Sequence, residues 1–410
     1  TGHKPVVFGQ PFYIGWGLTE DRKPLDRRQR KLTRNQLFAA SMLLYPKWYD
    51  PFHDRLCSFE HATATLTAAA RTWRDDHARW DAHGMKLWKR KPLQAFFGRY
   101  KPVKFATKIG ARRQMVWAGK TTEALEMHGV SRIEDGFLRS RGLGADLIPP
   151  LSLVVDDLGI YYDPSRPSRL ETLIEASAAL SDADRRRAEA LIATLIGERL
   201  SKYNLGGANV ADLPTGRRIL VPGQVEDDAS IRLGATDVTT NHGLLAAARK
   251  ANPAAVIIYK PHPDVEAGLR KGTVSEATSL ADVVATKADP LALIDQVDEV
   301  WTMTSLLGFE ALLRGKKVTC LGSPFYAGWG LTDDRAMPVT RRSASPDVIA
   351  LAHAVLIDYP RYFDPKSGLP CPVEVAVERL ATGDIPRPSQ FNRIAAKLQG
   401  AFASYAHLWR

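Results

Sequence analysis

The sequence predicts an α/β protein of two Rossmann-like domains that face a cleft, followed by a C-terminal helical tail. Short apolar strands alternate with helices over residues 101–335, and a segment rich in glycine interrupts this alternation at 201–217. Alternating strands and helices form right-handed βαβ units around a parallel sheet. Polar motifs follow directly after several of these strands, where such sheets bind their ligands.

The first Rossmann-like domain is predicted over residues 101–205. Its strands are expected at 115–118, 131–134 and 152–156, and its helices at 121–128 and within 169–200. The segment 201–217 contains Gly206, Gly207, Pro214 and Gly216. Glycine and proline interrupt regular structure, so this segment is expected to be an interdomain linker.

The second Rossmann-like domain is predicted over residues 206–335. Its strands are expected at 218–221, 255–259, 282–285, 299–303 and 317–321, and its helices at 241–251, 291–296 and 306–314. A helical tail is expected over 336–385, and a C-terminal extension over 386–410.

The chain also contains one long internal repeat. Residues 9–22 read GQPFYIGWGLTEDR, and residues 322–335 read GSPFYAGWGLTDDR. The likeness continues through Cys57 and Cys371 to Glu60 and Glu374. Two distant copies do not make a solenoid, which needs many short repeats. Residues 1–75 are therefore interpreted as the tail of a preceding, related module.

Composition excludes several classes of protein. The 410 residues are 45% hydrophobic and 25% charged, which excludes disorder, and no apolar run reaches the length of about 18 residues that predicts a transmembrane helix. Three cysteines are too few for a disulfide-framed secreted scaffold, so a reducing compartment is expected.

The net charge of +11 is concentrated in one stretch. Residues 82–122 contain no Asp or Glu but 11 basic residues, interleaved with aromatic ones. We interpret residues 76–122 as a basic linker or the start of the second module. A stretch of this kind can bind nucleic acid, can bind an anionic membrane, or can simply be solvated.

Three polar motifs follow predicted strands of the second domain. The first, VPGQVEDD at 221–228, contains Gln224, and alone it is equally typical of an ordinary loop. The second, YKPHPD at 259–264, places Lys260 and His262 where they could neutralise a phosphate. The third contains Thr304 and Ser305 at the start of a helix, where backbone N–H groups and the helix dipole attract anions.

A fourth motif, EDGFLRSRGLG at 134–144, follows a predicted strand of the first domain. Glu134 or Asp135 could act there as nucleophile or general base, and Arg139 and Arg141 could bind an acidic substrate. The competing pair at 156–157 is followed by Gly159 and Pro164, so it is expected to serve a turn.

The absence of three known binding motifs argues against nucleotide-hydrolysing, dinucleotide-binding and zinc-binding proteins. The sequence has neither the phosphate-loop pattern GxxxxGK[ST] nor a GxGxxG opening a helix, and it has no zinc-type Cys/His spacing. No cofactor and no metal are therefore expected.

Together the four motifs and the segment TSLLGFEALLRGKKVTCLGSPFYAGWGLTDDR at 304–335 resemble the bacterial capsular polysaccharide β-Kdo transferases. The resemblance implies a GT-B-like glycosyltransferase with two modules in one chain. It implies a retaining enzyme that transfers the keto-acid sugar Kdo from CMP-β-Kdo to a poly-Kdo linker on a lysophosphatidylglycerol acceptor. The implied location is cytoplasmic, on the inner face of the cytoplasmic membrane, and capsule export and assembly machinery are partners in this view.

Residue roles follow from the resemblance. Asp135 becomes the candidate nucleophile, with Glu134 in reserve, although similarity to CMP-sialic-acid transferases would make the acid a general base for inversion. The residues that would bind the donor are Lys260, His262, Thr304, Ser305, Glu310 and Gln224. Among them, Glu310 would bind the ribose. Arg139 and Arg141 would meet the Kdo carboxylate or the acidic acceptor.

Two other functions stay open. One is a different CMP- or UDP-sugar transferase or epimerase of the same fold. The other is a nucleic-acid-binding protein that uses residues 82–122, which the absence of known nucleic-acid-binding signatures argues against. The membrane interpretation fits the basic stretch better, because a basic residue near an anionic membrane contributes about 1 kcal/mol.

Overall fold

The computed structural model describes residues 3–142, 148–208, 213–268 and 270–385. The chain divides into two compact units, residues 1–67 and 68–410. The C-terminal extension predicted at 386–410 lies outside the described residues. Within the described ranges, no helix is both long enough and apolar enough to cross a bilayer.

The first unit is built from short elements. Strands β1 (Val6–Val7) and β2 (Glu20–Asp21) pair in parallel, and helix α1 (Arg34–Phe38) continues into a π-helical turn. Thr33 caps α1 through a reciprocal hydrogen-bond pair with Gln36. Strands β3 (Trp48–Asp50) and β4 (Arg55–Cys57) form a hairpin, and helix α2 (Phe59–Asp76) runs from this unit into the next.

The second unit begins with a seven-stranded sheet. Five of its strands come from the first predicted domain or just before it: β5 (Trp80–His83), β6 (Lys104–Phe105), β7 (Arg113–Trp117), β8 (Ser131–Asp135) and β9 (Ser152–Asp156). Its helices are α3 (Leu87–Phe97), α4 (Glu123–Met127), α5 (Arg169–Ser177) and α6 (Asp182–Gly197). The described part of the connection from β8 to β9 contains no helix, and β9 runs antiparallel to β8, whereas the sequence predicted a parallel strand. Parallel strands need a long crossover, usually through a helix.

The interpretation of the basic stretch as a solvated linker is wrong. Residues 80–117 contain three strands of this sheet and helix α3. Leu93, Phe96 and Phe97 lie on one face of α3 and are buried against Trp80 and Met115. The spacing of these three residues forms an apolar helical face. Arg90 and Lys91 are exposed, whereas Lys89 is partly buried against the ring of Trp117.

The second domain contains a six-stranded, fully parallel sheet in the order β12–β11–β10–β13–β14–β15. The strands are β10 (Arg218–Pro222), β11 (Val256–Lys260), β12 (Val283–Val284), β13 (Glu299–Thr302), β14 (Lys317–Cys320) and β15 (Asp333–Asp334). The helices are α7 (Ala229–Gly234), α8 (Asn241–Ala251), α9 (Pro263–Glu266), α10 (Ala277–Leu280), α11 (Pro290–Gln296) and α12 (Leu306–Leu313). The predicted α/β class with two Rossmann-like domains is confirmed.

The tail returns to the first domain. It contains α13 (Val348–Ala352), a π-helical turn, β16 (Pro360–Asp364), β17 (Leu369–Cys371) and α14 (Val373–Thr382). Strand β16 pairs with β9, so the predicted helical tail also supplies a hairpin to the seven-stranded sheet. Arg361 on β16 forms a buried ion pair with Asp76, with 2.6 Å between Nη2 and Oδ2, which fastens the hairpin in place.

Candidate active site

A cavity of about 630 Å³ lies where the carboxyl ends of strands β8, β10, β11 and β13 meet. Eight of the ten predicted site residues line it: Glu134, Asp135, Gln224, Lys260, His262, Thr304, Ser305 and Glu310. The rule that ligands bind beyond the carboxyl ends of parallel strands therefore located this cavity from the sequence.

The adjacent acids at the end of β8 differ in their surroundings. Asp135 forms an ion pair with Arg139, at 2.8 Å between Oδ2 and Nε. Glu134 accepts a hydrogen bond from the backbone N–H of Asp135 at 3.0 Å. Burial, and then the neighbouring charge of Asp135, raise the pKa of Glu134 to about 7. At neutral pH the pair therefore combines a carboxylate held by an arginine with an acid that readily gains or loses a proton.

The two predicted substrate arginines do not line the cavity. Arg139 is only 1% exposed, and besides Asp135 its guanidinium donates to Ser140 Oγ at 2.8 Å and to the carbonyl of Ile148 at 3.0 Å. Arg141 is exposed and reaches the carbonyl of Ala381 in α14. The loop turns Arg139 toward Asp135 and Arg141 toward the tail, so neither guanidinium lines the cavity in which an acidic substrate was expected.

Gln224 organises the cavity wall formed by the second domain. Its side-chain amide donates to Thr304 Oγ1 and accepts from the Thr304 N–H, both at 3.0 Å. Asn241 bonds both backbone polar groups of Gln224, each at 2.8 Å. Gln224 therefore fixes the loop that leads into α12, and this positioning role differs from the predicted contact with the donor.

Helix α12 presents its N-terminus to the cavity. Ser305 is the N-cap, and its hydroxyl accepts from the N–H of Leu307 at 3.2 Å. Thr304, Ser305, Leu306 and Leu307 all line the cavity. The eight-residue helix thus offers its positive dipole end to an anion in the cavity, as predicted for a phosphate site.

The loop after β11 holds a neutral histidine. His262 Nδ1 accepts from the N–H of Asp264 at 3.1 Å, so in the neutral ring the proton lies on Nε2. Burial lowers the pKa of His262, and it also lowers the pKa of Lys260. The Lys260 ammonium donates to the carbonyl of Pro261 at 2.7 Å and lies 3.4 Å from Glu266, so its charge is already partly matched.

Glu310 lies one turn into α12 and is almost fully buried. Burial raises its pKa to about 7. One of its oxygens accepts from the backbone N–H of Lys202 at 3.3 Å. Glu310 therefore links the second domain to the connection after α6, and it also lines the cavity where a ribose was predicted.

Sequence reasoning missed several residues of the cavity. Tyr161, Phe137 and Phe325 form an aromatic cluster on its wall, with ring centroids 4.9 to 6.0 Å apart. Lys202 and Tyr203 also line it, although their segment was interpreted as a linker. Phe325 lies in the internal repeat, which was the one available signal for this cluster.

The competing acids serve a turn. Asp156 is fully buried and accepts from the N–H groups of Leu158 and Gly159 and from the hydroxyl of Tyr359. Asp157 pairs with Arg169 on the surface. Neither lines the cavity, in agreement with their lower rank.

Two Rossmann-like domains around a cleft form a GT-B-like fold. The sequence profile of the family described as "Capsule polysaccharide biosynthesis protein" matches residues 117–211 and 195–362, and this chain belongs to that family. The predicted family resemblance is confirmed.

Two kinds of relative are similar to the chain. The "Capsule polysaccharide modification protein LipA" of Neisseria meningitidis serogroup B is 42% identical over 405 residues, covering 92% of this chain and 57% of LipA. The "Lipopolysaccharide-processing protein LpsZ" of Rhizobium meliloti is 41% identical over 322 residues, covering 73% of each chain. The chain thus spans little more than half the length of LipA.

Solved structures match as well. The KpsC β-Kdo 2,4 transferase of Thermosulfurimonas dismutans superposes with a TM-score of 0.67 at 33% identity, over 74% of this chain and 98% of that one. The KpsC β-Kdo 2,7 transferase of the same organism gives a TM-score of 0.61 at 33% identity, over 75% and 99%.

Proposed function

We propose that this chain is a retaining β-Kdo transferase that uses CMP-β-Kdo and extends a poly-Kdo linker in capsular polysaccharide biosynthesis. The observation that carries the proposal is the position of the Glu134–Asp135 pair, in one cavity with the N-terminus of α12 and with His262. The similarity to two β-Kdo transferases of solved structure supports the same sugar.

In the first step, Asp135 attacks the anomeric carbon of the donor while the bond to the CMP phosphate oxygen breaks. CMP leaves with the bonding electron pair as a phosphate anion. The N-terminus of α12 and the Nε2–H of His262 are suited to stabilise this anion. Neutral His262 can donate this hydrogen bond without having to become charged.

In the second step, a hydroxyl of the acceptor attacks the sugar bound to Asp135, and Asp135 leaves as a carboxylate. Glu134 is placed to take the hydroxyl proton, because its pKa of about 7 matches the requirement for a general base near neutral pH. Two successive inversions retain the configuration of the sugar.

The acceptor and the location are part of the proposal. Leu87 at the start of α3 is 78% exposed and is surrounded in sequence by exposed Lys86, Arg90 and Lys91. An apolar side chain among basic ones matches an anionic bilayer surface, which would bring a lysophosphatidylglycerol-linked acceptor to the enzyme. The proposed location is the inner face of the cytoplasmic membrane.

We also propose that residues 3–67 close a preceding, related module. The repeat places Phe12 and Tyr45 at the positions of Phe325 and Tyr359. The first two are 62% and 89% exposed, whereas their counterparts are 4% and 0% exposed. Exposed apolar residues whose counterparts are buried indicate a surface that further protein covers.

The test is incubation of the chain with CMP-Kdo and a Kdo-terminated acceptor. We expect CMP release and an extended product, and we expect Asp135→Asn to reduce turnover by at least about 1,000-fold, as for a removed nucleophile. Asp157→Asn is the matched control, since Asp157 is a surface acid outside the cavity. Turnover of UDP-sugars without turnover of CMP-Kdo would contradict the proposal and favour the other transferases of this fold.

A further inference from the structure

The cations that line the cavity differ in their partners. Lys260, Arg199 and Arg270 each pair with a carboxylate, at 3.4, 3.4 and 2.9 Å respectively. The ammonium groups of Lys202 and of exposed Lys287 make no hydrogen bond or ion pair with any residue that the structure describes. Lys202 is the less exposed of the two, and its Nζ lies 5.5 Å from the centroid of the Tyr203 ring. Lys202 is thus an unpaired cation within the proposed active site.

The backbone of Lys202 is fixed from both domains. Its carbonyl accepts from the N–H groups of Arg139 and Ser140 at 3.0 and 3.2 Å, and its N–H donates to Glu310 at 3.3 Å. Asn204 closes the same turn through its contacts with Ser201 and Ser140. The side chain therefore starts from a rigid position, which is typical of groups that bind a ligand specifically.

The acids of the cavity act on Lys202 without contacting it. Burial alone would lower the pKa of Lys202, but Tyr161, Tyr203, Asp135 and Glu134 raise it, so the ammonium persists at neutral pH. Asp135 forms its ion pair with Arg139 instead. Lys202 is therefore a charged ammonium near the two acids, and no carboxylate of the described residues lies within ion-pair distance of it.

The chemistry of a keto-acid sugar places an anion at this point. In such a sugar the carboxylate is attached directly to the anomeric carbon. Attack by Asp135 requires that carbon at about 3 to 3.5 Å, so the carboxylate must lie beside the acid pair. The phosphate, in contrast, is expected at the N-terminus of α12.

We propose that Lys202 binds the carboxylate of the keto-acid donor and selects acidic sugars against neutral ones. This inference rests on the proposed function and adds its specificity-determining residue. It replaces the predicted role of Arg139 and Arg141, which the geometry directs elsewhere.

The experiment compares CMP-Kdo with its carboxamide analogue, in which a neutral amide replaces the carboxylate, in wild type and Lys202→Met. The wild type should bind the carboxylate form about 100-fold more tightly, as for a desolvated charge pair. Lys202→Met should lose most of this preference while binding CMP within about twofold of wild type. Lys287→Met is the control, because Lys287 also lines the cavity but is exposed.

The outcomes separate the two proposals. If the wild type does not turn over CMP-Kdo, the proposed function fails. If it does so and Lys202→Met keeps the preference for the carboxylate, the role of Lys202 is refuted and the proposed function stands. Should Lys202→Met not fold, the wild type still decides, since equal affinity for the two analogues would overturn the inference.

Discussion

The ion pair between Arg139 and Asp135 gives the sharpest prediction about how the site is built. Arg139 is 1% exposed and forms three polar contacts, with Asp135, Ser140 and the carbonyl of Ile148. Arg139→Met removes all three and leaves Asp135 without its ion-pair partner. Breaking a buried ion pair by removing one partner costs about 3–5 kcal/mol of unfolding free energy. Arg139→Lys keeps the charge but loses two charge-assisted hydrogen bonds, at about 1.5–3 kcal/mol each.

Urea unfolding and steady-state kinetics measure the two consequences. The control is Arg141→Met, expected to change the unfolding free energy by less than about 0.5 kcal/mol, because Arg141 is exposed and makes one 3.4 Å contact. A positioning role for Arg139 predicts that Arg139→Lys lowers kcat with little change in KM for the donor. A raised KM with unchanged kcat and unchanged stability would refute this reasoning and restore Arg139 as a substrate ligand.

Three further predictions follow from the same structure. Raising the pH from about 5 to 8 should destabilise the protein, because the raised pKa of about 7 makes folded Glu310 favour its protonated form. Urea unfolding at each pH measures this loss of unfolding free energy, and Glu310→Gln should remove up to about 3 kcal/mol of it. The same pH dependence in Glu310→Gln as in the wild type would contradict this prediction. Binding to anionic liposomes should fall at least about tenfold when Lys86, Arg90 and Lys91 become Gln. The matched control changes three exposed lysines elsewhere to Gln, namely Lys250, Lys271 and Lys317, and it should leave binding unaltered. Equal losses in the two variants would mean that the basic surface acts only through net charge. EDTA should leave CMP release unchanged, since in the proposed mechanism the α12 N-terminus and His262 supply the phosphate contacts. A loss of turnover that Mg²⁺ restores would contradict this.

The position of the cavity could be predicted from the sequence because the strands that end at it follow periodic patterns. Short strands such as β8, β11 and β13 have predictable carboxyl ends. Asp135 is the last residue of β8, and His262 and Thr304 lie two residues after β11 and β13. The carboxyl edge of the six-stranded sheet brings His262 and Thr304 together, and Asp135, at the end of a strand of the seven-stranded sheet, lines the same cavity. Residue type and strand position therefore sufficed for eight of the ten predicted residues.

The directions of loop side chains did not follow from any pattern. Arg139 and Arg141 alternate in one short loop, yet one contacts Asp135 and the other the tail. Lys202 lies in a segment whose glycines indicated a linker, although hydrogen bonds to Arg139, Ser140 and Glu310 fix it in the site. The pairing of β16 with β9 joins residues far apart in sequence, which local periodicity cannot reveal.

A covalent adduct on Asp135 is the most direct test of the central claim. The chain is mixed with CMP-Kdo without acceptor, quenched with acid within seconds, digested and analysed by mass spectrometry. A retaining double displacement predicts one Kdo on the peptide that contains Asp135, lost on addition of a Kdo-terminated acceptor and absent in Asp135→Asn. An adduct on another residue, or a product of inverted configuration formed without an adduct, would contradict the assignment of Asp135 as nucleophile.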